Sequence, residues 1–196
     1  FSDAELRARL ACRVMPAQFF SRAGQGGPAH LVVAGGGAAA EVMAVQLYKT
    51  MVLPPGMALK ITVLDPDASK LEQDFALRYP EVDRFGDLEF ADLDTGSADE
   101  WRIWIGARDE EGLAPTGFYV AGDDDARDLG CALALAEAYQ VAGKLMPPAC
   151  LLQAGESGLV QADLPTLIAL DSVAMLEHGE LVVQGRLDAQ AAHVHN

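Results

Sequence analysis

The chain has 196 residues, of which 51% are hydrophobic and 22% charged, a composition typical of a folded globular protein. Its formal net charge of −15 disfavours binding to nucleic acid or anionic membranes, so a phosphate ligand would need local backbone donors. The longest nearly uncharged apolar run, residues 129–136, is far too short to span a membrane. Because Phe1 is not an initiator methionine, we expect the chain to be part of a longer protein.

A short amphipathic segment opens the chain. Leu6, Leu10 and Val14 recur at helical spacing, which predicts a helix that packs on the main domain, followed by a flexible connector over residues 21–28. Cys12, Cys131 and Cys150 are odd in number and lack C-x-x-C spacing, so we expect free buried thiols rather than disulfides or a metal site.

Residues 30–47, HLVVAGGGAAAEVMAVQL, form the most informative stretch, because they predict an apolar strand, a glycine turn and a helix. The motif is G-x-G-x-x-A, made by Gly35, Gly37 and Ala40. The first glycine allows a tight turn, the second lets the backbone approach a pyrophosphate, and the alanine lets the helix lie close to the strand. The helix N-terminus would then offer N–H groups to the anion. The alternative is a glycine-rich turn that binds nothing.

Residues 59–64 predict a second strand that ends in Asp65. A carboxylate there can accept hydrogen bonds from the adenosine ribose hydroxyls of a dinucleotide. Its offset from the glycines is longer than the usual one of about 20 residues, which the Pro-Pro-Gly insertion at 54–56 explains. The alternative is that Asp65, Pro66 and Asp67 only cap the next helix.

Three further elements are predicted before residue 117. Residues 68–79 predict a helix with Leu71, Phe75 and, on its flank, Leu77. Residues 87–91 predict a short strand followed by Asp92 and Asp94, and residues 96–105 a helix around Trp101, Ile103 and Trp104. The tryptophans are interpreted as core or interface residues rather than a stacking platform, and residues 108–115 as an acidic surface loop.

A fourth strand is predicted over residues 117–121 and runs into Gly122 and the acidic cluster Asp123, Asp124 and Asp125. Such a run more often caps the following helix than binds a divalent cation, but both interpretations stay open. Residues 149–153 predict a fifth strand, and 173–176 and 181–183 two short strands around a turn at 178–179. Residues 156–170 predict a loop and short helix, and residues 187–196 the start of a helix.

This order of elements predicts an α/β fold: a Rossmann-like, doubly wound parallel sheet with helices on both faces. Residues 30–155 would form the nucleotide-binding domain, preceded by an N-terminal helix and linker at 1–29 and followed by a C-terminal extension at 156–196. The glycine turn, Asp65, Asp92 and Asp123 would all lie at carboxyl ends of strands, where such sheets bind ligands.

Four segments of the chain resemble the TrkA-N (RCK) regulatory nucleotide-binding domain of potassium channels and potassium uptake proteins. They are VVAGGGAAAEVMAVQL, ITVLDPDASKLE, FADLD and FYVAGDDDARDLGCALALA, within residues 30–153. The tail RLDAQAAHVHN is similar to the junction found in bacterial TrkA-N proteins that also carry a RyR-type domain. The chain departs from the family at Ala38 and Ala39, where family members often carry a basic residue.

The resemblance implies a cytoplasmic ligand-sensing domain rather than an enzyme. It would bind NAD(H) or another adenine nucleotide and control potassium ion transport through a dimer or ring, with a channel or transporter as partner. The cofactor-binding residues would be Gly35, Gly36, Gly37, Ala38, Ala39, Ala40, Asp65, Pro66, Asp92, Gly122 and Asp123. Asp65 would favour NAD over NADP, because a carboxylate repels a 2′-phosphate.

Two alternatives belong to other functional classes. One is an NAD-dependent oxidoreductase, which needs a proton-transfer group near the nicotinamide; His178 and Tyr119 are the candidates the sequence offers. The other is a Rossmann-like domain that has lost ligand binding and serves oligomerisation only.

Overall fold

Seven β-strands in a single sheet organise the protein, as seen in a computed structural model that describes residues 3–14, 28–51, 53, 55–81, 87–147, 149–152, 173–177 and 180–184. The strand over Ala29–Ala34 is an unbroken run of buried residues, which is typical of a parallel strand covered on both faces. The strands are β1 Ala29–Ala34, β2 Leu59–Asp65, β3 Asp87–Asp92, β4 Gly117–Ala121, β5 Ala149–Leu152, β6 Val173–Glu177 and β7 Glu180–Gln184.

In the described ranges, five helices connect or precede these strands: α1 Asp3–Val14, α2 Gly37–Thr50, α3 Ala68–Arg78, α4 Ala98–Glu110 and α5 Asp125–Val141. Most of the predicted element boundaries agree with these to within two residues. The exception is α4, which continues to Glu110, so residues 108–110 are helical rather than part of the predicted surface loop. In the part of the chain that the structure describes, no helix is both long and apolar enough to cross a membrane.

The strand order is β3-β2-β1-β4-β5-β6-β7, in which all neighbours are parallel except the β6–β7 pair. The order runs outward from β1 in one direction to β3 and in the other from β4 to β7. The chain therefore reverses its winding between β1 and β4, and a crevice forms beyond the carboxyl ends of these two strands. The predicted fold class, a Rossmann-like doubly wound sheet, is confirmed.

Alternate residues of each strand point to opposite faces, and each face has its own helical layer. Val32, Phe118 and Val120 pack with α4 and α5. Leu31 and Val33 pack on the other face, with α1, α2 and the Leu71 side of α3. Burial on both faces explains why β1 and β4 contain hardly any charged residues.

The two tryptophans belong to the core, as interpreted from the sequence. Trp101 is fully buried and makes edge-to-face contacts with Trp104 and Phe118, at centroid distances of 6.1 and 5.9 Å. Its indole N–H donates to the Thr95 carbonyl at 2.9 Å, which satisfies the polar atom that burial would otherwise orphan. Ile103, predicted to share this packing, is 66% exposed.

Two other apolar side chains that the sequence assigned to helical stripes also lie outside the core. Leu77 is 82% exposed on α3 and Leu6 is 54% exposed on α1. Helix α1 packs instead through the small residues Ala8, Ala11 and Cys12, because small side chains allow the close approach of α1 to α2.

Some predictions lie outside the described residues: the loop and helix at 156–170, the turn at 178–179 and the helix start at 187–196. The division of the chain at residues 29 and 155 remains a prediction. The sheet itself continues across residue 155, because β6 pairs with β5.

Candidate nucleotide-binding cleft

The turn between β1 and α2 depends on two glycines in the left-handed region, Gly35 at φ +127° and Gly37 at φ +79°. The Gly35 N–H donates to the Leu64 carbonyl at 3.0 Å. A Cβ added to Gly35 would lie 2.7 Å from the Ala121 carbonyl oxygen, so the turn passes directly against the end of β4. The turn therefore occupies the switch point of the sheet, as the motif predicts.

The start of α2 contains the small residues that the motif requires. Ala40 is fully buried in the layer between α2 and the sheet, where a larger side chain would push the helix outward. Gly36 is the N-cap residue and makes no side-chain hydrogen bond to the helix, and the first turn contains no acidic residue. The first N–H groups of α2 therefore have no acceptor from the helix's own side chains.

Asp65 turns its carboxylate toward the glycine turn. Its Oδ1 accepts the Asp67 N–H at 2.8 Å, and its Oδ2 lies 2.5 Å from the position a Gly36 Cβ would take. The Arg127 guanidinium lies 3.3 Å from Oδ2. Asp67, at the N-cap of α3, makes no side-chain cap bond, so helix capping alone does not account for the position of Asp65.

The acidic cluster at residues 123–125 splits between two helices. Asp124 caps α5, because its Oδ1 accepts the N–H groups of Ala126 and Arg127 at 2.9 and 3.0 Å. Asp123 instead reaches across the turn, and its Oδ2 accepts the Ala38 N–H at 3.2 Å. The capping interpretation is therefore correct for Asp124, whereas Asp123 serves the N-terminus of α2. Within the described ranges, no three His, Cys, Asp or Glu side chains lie close enough to hold a metal ion.

These groups line a cleft of about 310 Å³ at the carboxyl edge of the sheet, within the size range of small-molecule sites. Seven of its lining residues are acidic and three are basic. The lining residues are Gly36, Gly37, Ala38, Glu41, Asp65, Asp67, Lys70, Leu71, Asp74, Arg78, Gly122, Asp123, Asp124, Arg127 and Asp128.

The structure brings six of the eleven predicted cofactor-binding residues together in this cleft: Gly36, Gly37, Ala38, Asp65, Gly122 and Asp123. Gly35, Ala39, Ala40, Pro66 and Asp92 do not line it. Gly35 and Ala40 lie on the sheet side of the turn and helix, where their small size allows close packing. Asp92 pairs with Asp65 in the β2–β3 register but is exposed outside the cleft, because its strand lies at the edge of the sheet.

Sequence reasoning missed one wall of the cleft, the face of α3 that carries Lys70, Leu71, Asp74 and Arg78. Their spacing of three or four residues marks one face of a helix, and that periodicity was a usable signal. Arg127, the cation nearest to Asp65, was also missed, since no local pattern links residues 62 positions apart.

Two carboxyl groups of the cleft have raised pKa values. Burial raises the pKa of Asp128 to about 7, helped by the charges of Asp125 and Asp124 and opposed by the Gly122 N–H and by Arg127. Burial also raises the pKa of Glu41, and the opposing partner is Arg78, whose Nη1 lies 2.7 Å from Oε2. Asp128 lies in the wall of the cleft, so this one carboxyl group is partly protonated near neutral pH.

No protein-family model and no curated protein matches the chain. Among solved structures, it is similar to levodione reductase, with 12% identity and a TM-score of 0.46, over 74% of this chain and 64% of that one. It is also similar to a short-chain type dehydrogenase/reductase from Mycobacterium ulcerans, with 14% identity and a TM-score of 0.47, over 74% of this chain and 61% of that one. A third similar structure is the Pseudomonas aeruginosa RhlG/NADP active-site complex, with 12% identity and a TM-score of 0.42, over 74% of this chain and 64% of that one.

The chain thus spans less than two thirds of the length of each of these structures. At such identities the likeness concerns the fold alone. The expectation that this chain is not an enzyme does not match these neighbours, which are described as a reductase, a dehydrogenase/reductase and an active-site complex. The cofactor named in these descriptions is the NADP of the RhlG complex. No neighbour named here is a potassium channel or uptake protein.

Proposed function

We propose that this chain is the cofactor-binding part of an oxidoreductase that uses NAD(H). The carrying observation is the arrangement at the switch point, where the Asp65 carboxylate lies directly beside the glycine turn and both line the cleft. The turn offers backbone N–H groups for a pyrophosphate, and the carboxylate offers oxygen atoms for the hydroxyls of the adenosine ribose.

Asp65 supports NAD rather than NADP as the ligand. A 2′-phosphate would carry its negative charge to a carboxylate that is 6% exposed and shares the cleft with six other acidic residues. Arg127 offsets only part of that charge, because it is half-exposed and lies on one side of Asp65. The 2′-hydroxyl of NAD, by contrast, can donate a hydrogen bond to the carboxylate.

The bound cofactor would supply hydride transfer, and the protein would supply binding, orientation and a proton-transfer group. Of the two candidates from the sequence, Tyr119 is fully buried in the sheet and is therefore excluded as a cleft residue. His178 lies outside the described residues. Within the described part of the cleft, Lys70 is the one side chain of the His, Lys or Tyr type. It follows Asp65 by five residues, on the side proposed for the adenosine ribose and not for the nicotinamide, so we assign it no proton-transfer role.

The TrkA-N resemblance implies the same nucleotide site but a different use of it. Control of potassium transport, a homodimer, a channel or transporter partner and a cytoplasmic location remain predictions. No contact, charge pattern or surface in the described residues favours them over the oxidoreductase.

Calorimetric titration with NAD, NADH and NADP tests the proposal. We expect wild type to bind NAD(H) more tightly than NADP. Asp65→Ala should raise the dissociation constant for NAD at least about tenfold, because it removes hydrogen bonds to a charged acceptor. It should also reduce or reverse the discrimination against NADP, since Arg127 would be released to pair with the 2′-phosphate.

Asp92→Ala is the matched control, because Asp92 ends the neighbouring strand at the same level but lies outside the cleft. Its NAD affinity should stay within about twofold of wild type. Absence of binding by folded wild-type protein to all three nucleotides would refute the proposal, as would equal losses in the two variants.

A further inference from the structure

The place where a dinucleotide's pyrophosphate would bind is held by an internal carboxylate. Asp123 Oδ2 accepts the N–H of Ala38, at the start of α2, at 3.2 Å. A Cβ at Gly37 would overlap this oxygen, so the carboxylate occupies the space directly above the glycine turn. It presents the same charge sign and the same acceptor atoms as a phosphate group.

We propose that Asp123 is an autoinhibitory anion that an incoming pyrophosphate must displace from the N-terminus of α2. The inference rests on the proposed function, since it concerns the same cleft and ligand. Asp123 would thereby set the affinity for phosphorylated ligands, while ligands without phosphate would bind without displacing it.

The loop around Asp123 is anchored through its neighbours. The Gly122 N–H donates to Asp128 Oδ2 at 2.8 Å, and the Asp124 carboxylate is engaged in capping α5. The exposed Asp123 side chain can therefore rotate out of the turn while the loop on either side of it stays in place. Displacement of Asp123 weakens ligand binding in two ways. It breaks the hydrogen bond to Ala38, and it leaves a carboxylate close to a ligand of the same charge.

The first turn of α2 has no basic residue that could attract a phosphate. Ala38 and Ala39 stand where a positively charged side chain could attract the phosphate, and the first turn of α2 presents only backbone donors. The competition at the turn is thus between two anions for the same N–H groups, and the internal one has the entropic advantage of being part of the chain.

Isothermal titration of NAD and of adenosine into wild type, Asp123→Asn and Asp125→Asn provides the test. Asp125→Asn removes one negative charge from the first turn of α5, and Asp125 does not line the cleft. We expect Asp123→Asn to bind NAD at least about tenfold more tightly than wild type, and adenosine with unchanged affinity. Asp125→Asn should change both by less than about threefold.

The outcomes separate the two proposals. If wild type binds NAD and Asp123→Asn binds it equally or more weakly, the autoinhibitory role is refuted and the nucleotide site stands. A similar gain for adenosine would also refute it, because a ligand without phosphate has no need of the turn. If no variant binds NAD or adenosine, both proposals fail. Asp123→Ser serves as a second variant should Asn retain the hydrogen bond to Ala38.

Discussion

Asp128 is a carboxylic acid enclosed by protein near the start of α5, with 1% of its surface exposed. Burial raises its pKa to about 7, whereas the unfolded chain ionises near the ordinary value of about 3.9. Between those pH values the folded protein holds more protons than the unfolded chain. The free energy of unfolding therefore falls as the pH rises through this window. The stabilisation that comes from protonated Asp128 is fully present only below about pH 4.

Asp128→Asn should remove this dependence. The amide keeps an acceptor for the Gly122 N–H and carries no charge, so the variant should match wild type near pH 4 and exceed its melting temperature near pH 8. The expected gain is several degrees, since about 1 kcal/mol corresponds to roughly 2–4 °C for a chain of this size. Differential scanning calorimetry from pH 4 to pH 8 measures it.

Asp99→Asn is the control, because it neutralises an exposed carboxylate in the first turn of α4. Its melting temperature relative to wild type should change little over the same pH range. A constant difference between Asp128→Asn and wild type would mean that Asp128 ionises normally in the folded protein.

At the scale of elements, helix α4 shows how a helix is held to the sheet by one narrow face. Trp101, Trp104 and Ile105 are buried, while Ile103 projects into solvent. Ser97 caps the N-terminus of the helix, because its hydroxyl accepts the Glu100 N–H at 3.4 Å. Its stability therefore depends on tertiary packing of the tryptophan face more than on the apolar content of its sequence.

Trp101→Ala should lower the free energy of unfolding by about 3–5 kcal/mol, because it removes a fully buried indole and leaves a cavity. Ile103→Ala, two positions away on the same helix, should cost less than about 0.5 kcal/mol, since that side chain is mostly exposed. Urea unfolding followed by circular dichroism measures both. Similar losses in the two variants would contradict this assignment of the buried face.

Across the sheet as a whole, the strand order places β1 in the interior and β3 at an edge. All six β1 residues are buried and the strand pairs on both sides, whereas β3 pairs on one side and none of its residues is buried. The free energy needed to open backbone hydrogen bonds should therefore differ strongly between the two strands.

Hydrogen–deuterium exchange followed by mass spectrometry should find the amides of β1 among the slowest in the chain and those of β3 markedly faster. NAD, where it binds, should slow exchange at the start of α2 and in the segment between β4 and α5, because both line the cleft. Exchange in β1 as fast as in β3 would contradict the strand order.

The elements near the site and the type of fold were predictable from the amino-acid sequence. Apolar runs, proline breaks and the glycine motif are local signals, so strands β1, β2 and β4, the turn at Gly35–Gly37 and the carboxylate at Asp65 were all predictable from neighbouring residues. The parallel, doubly wound sheet followed from the alternation of strands and helices.

The charged groups that meet in the cleft became clear only from the folded arrangement of the strands. Asp123 lies 85 positions from Ala38, and Arg127 lies 62 positions from Asp65; both pairs form because strands distant in sequence end side by side. Asp92 and Asp65 are in register yet only Asp65 faces the cleft, because β3 is an edge strand. Local patterns carry no information about such contacts, since they depend on how the sheet is wound and not on the residues adjacent in the chain.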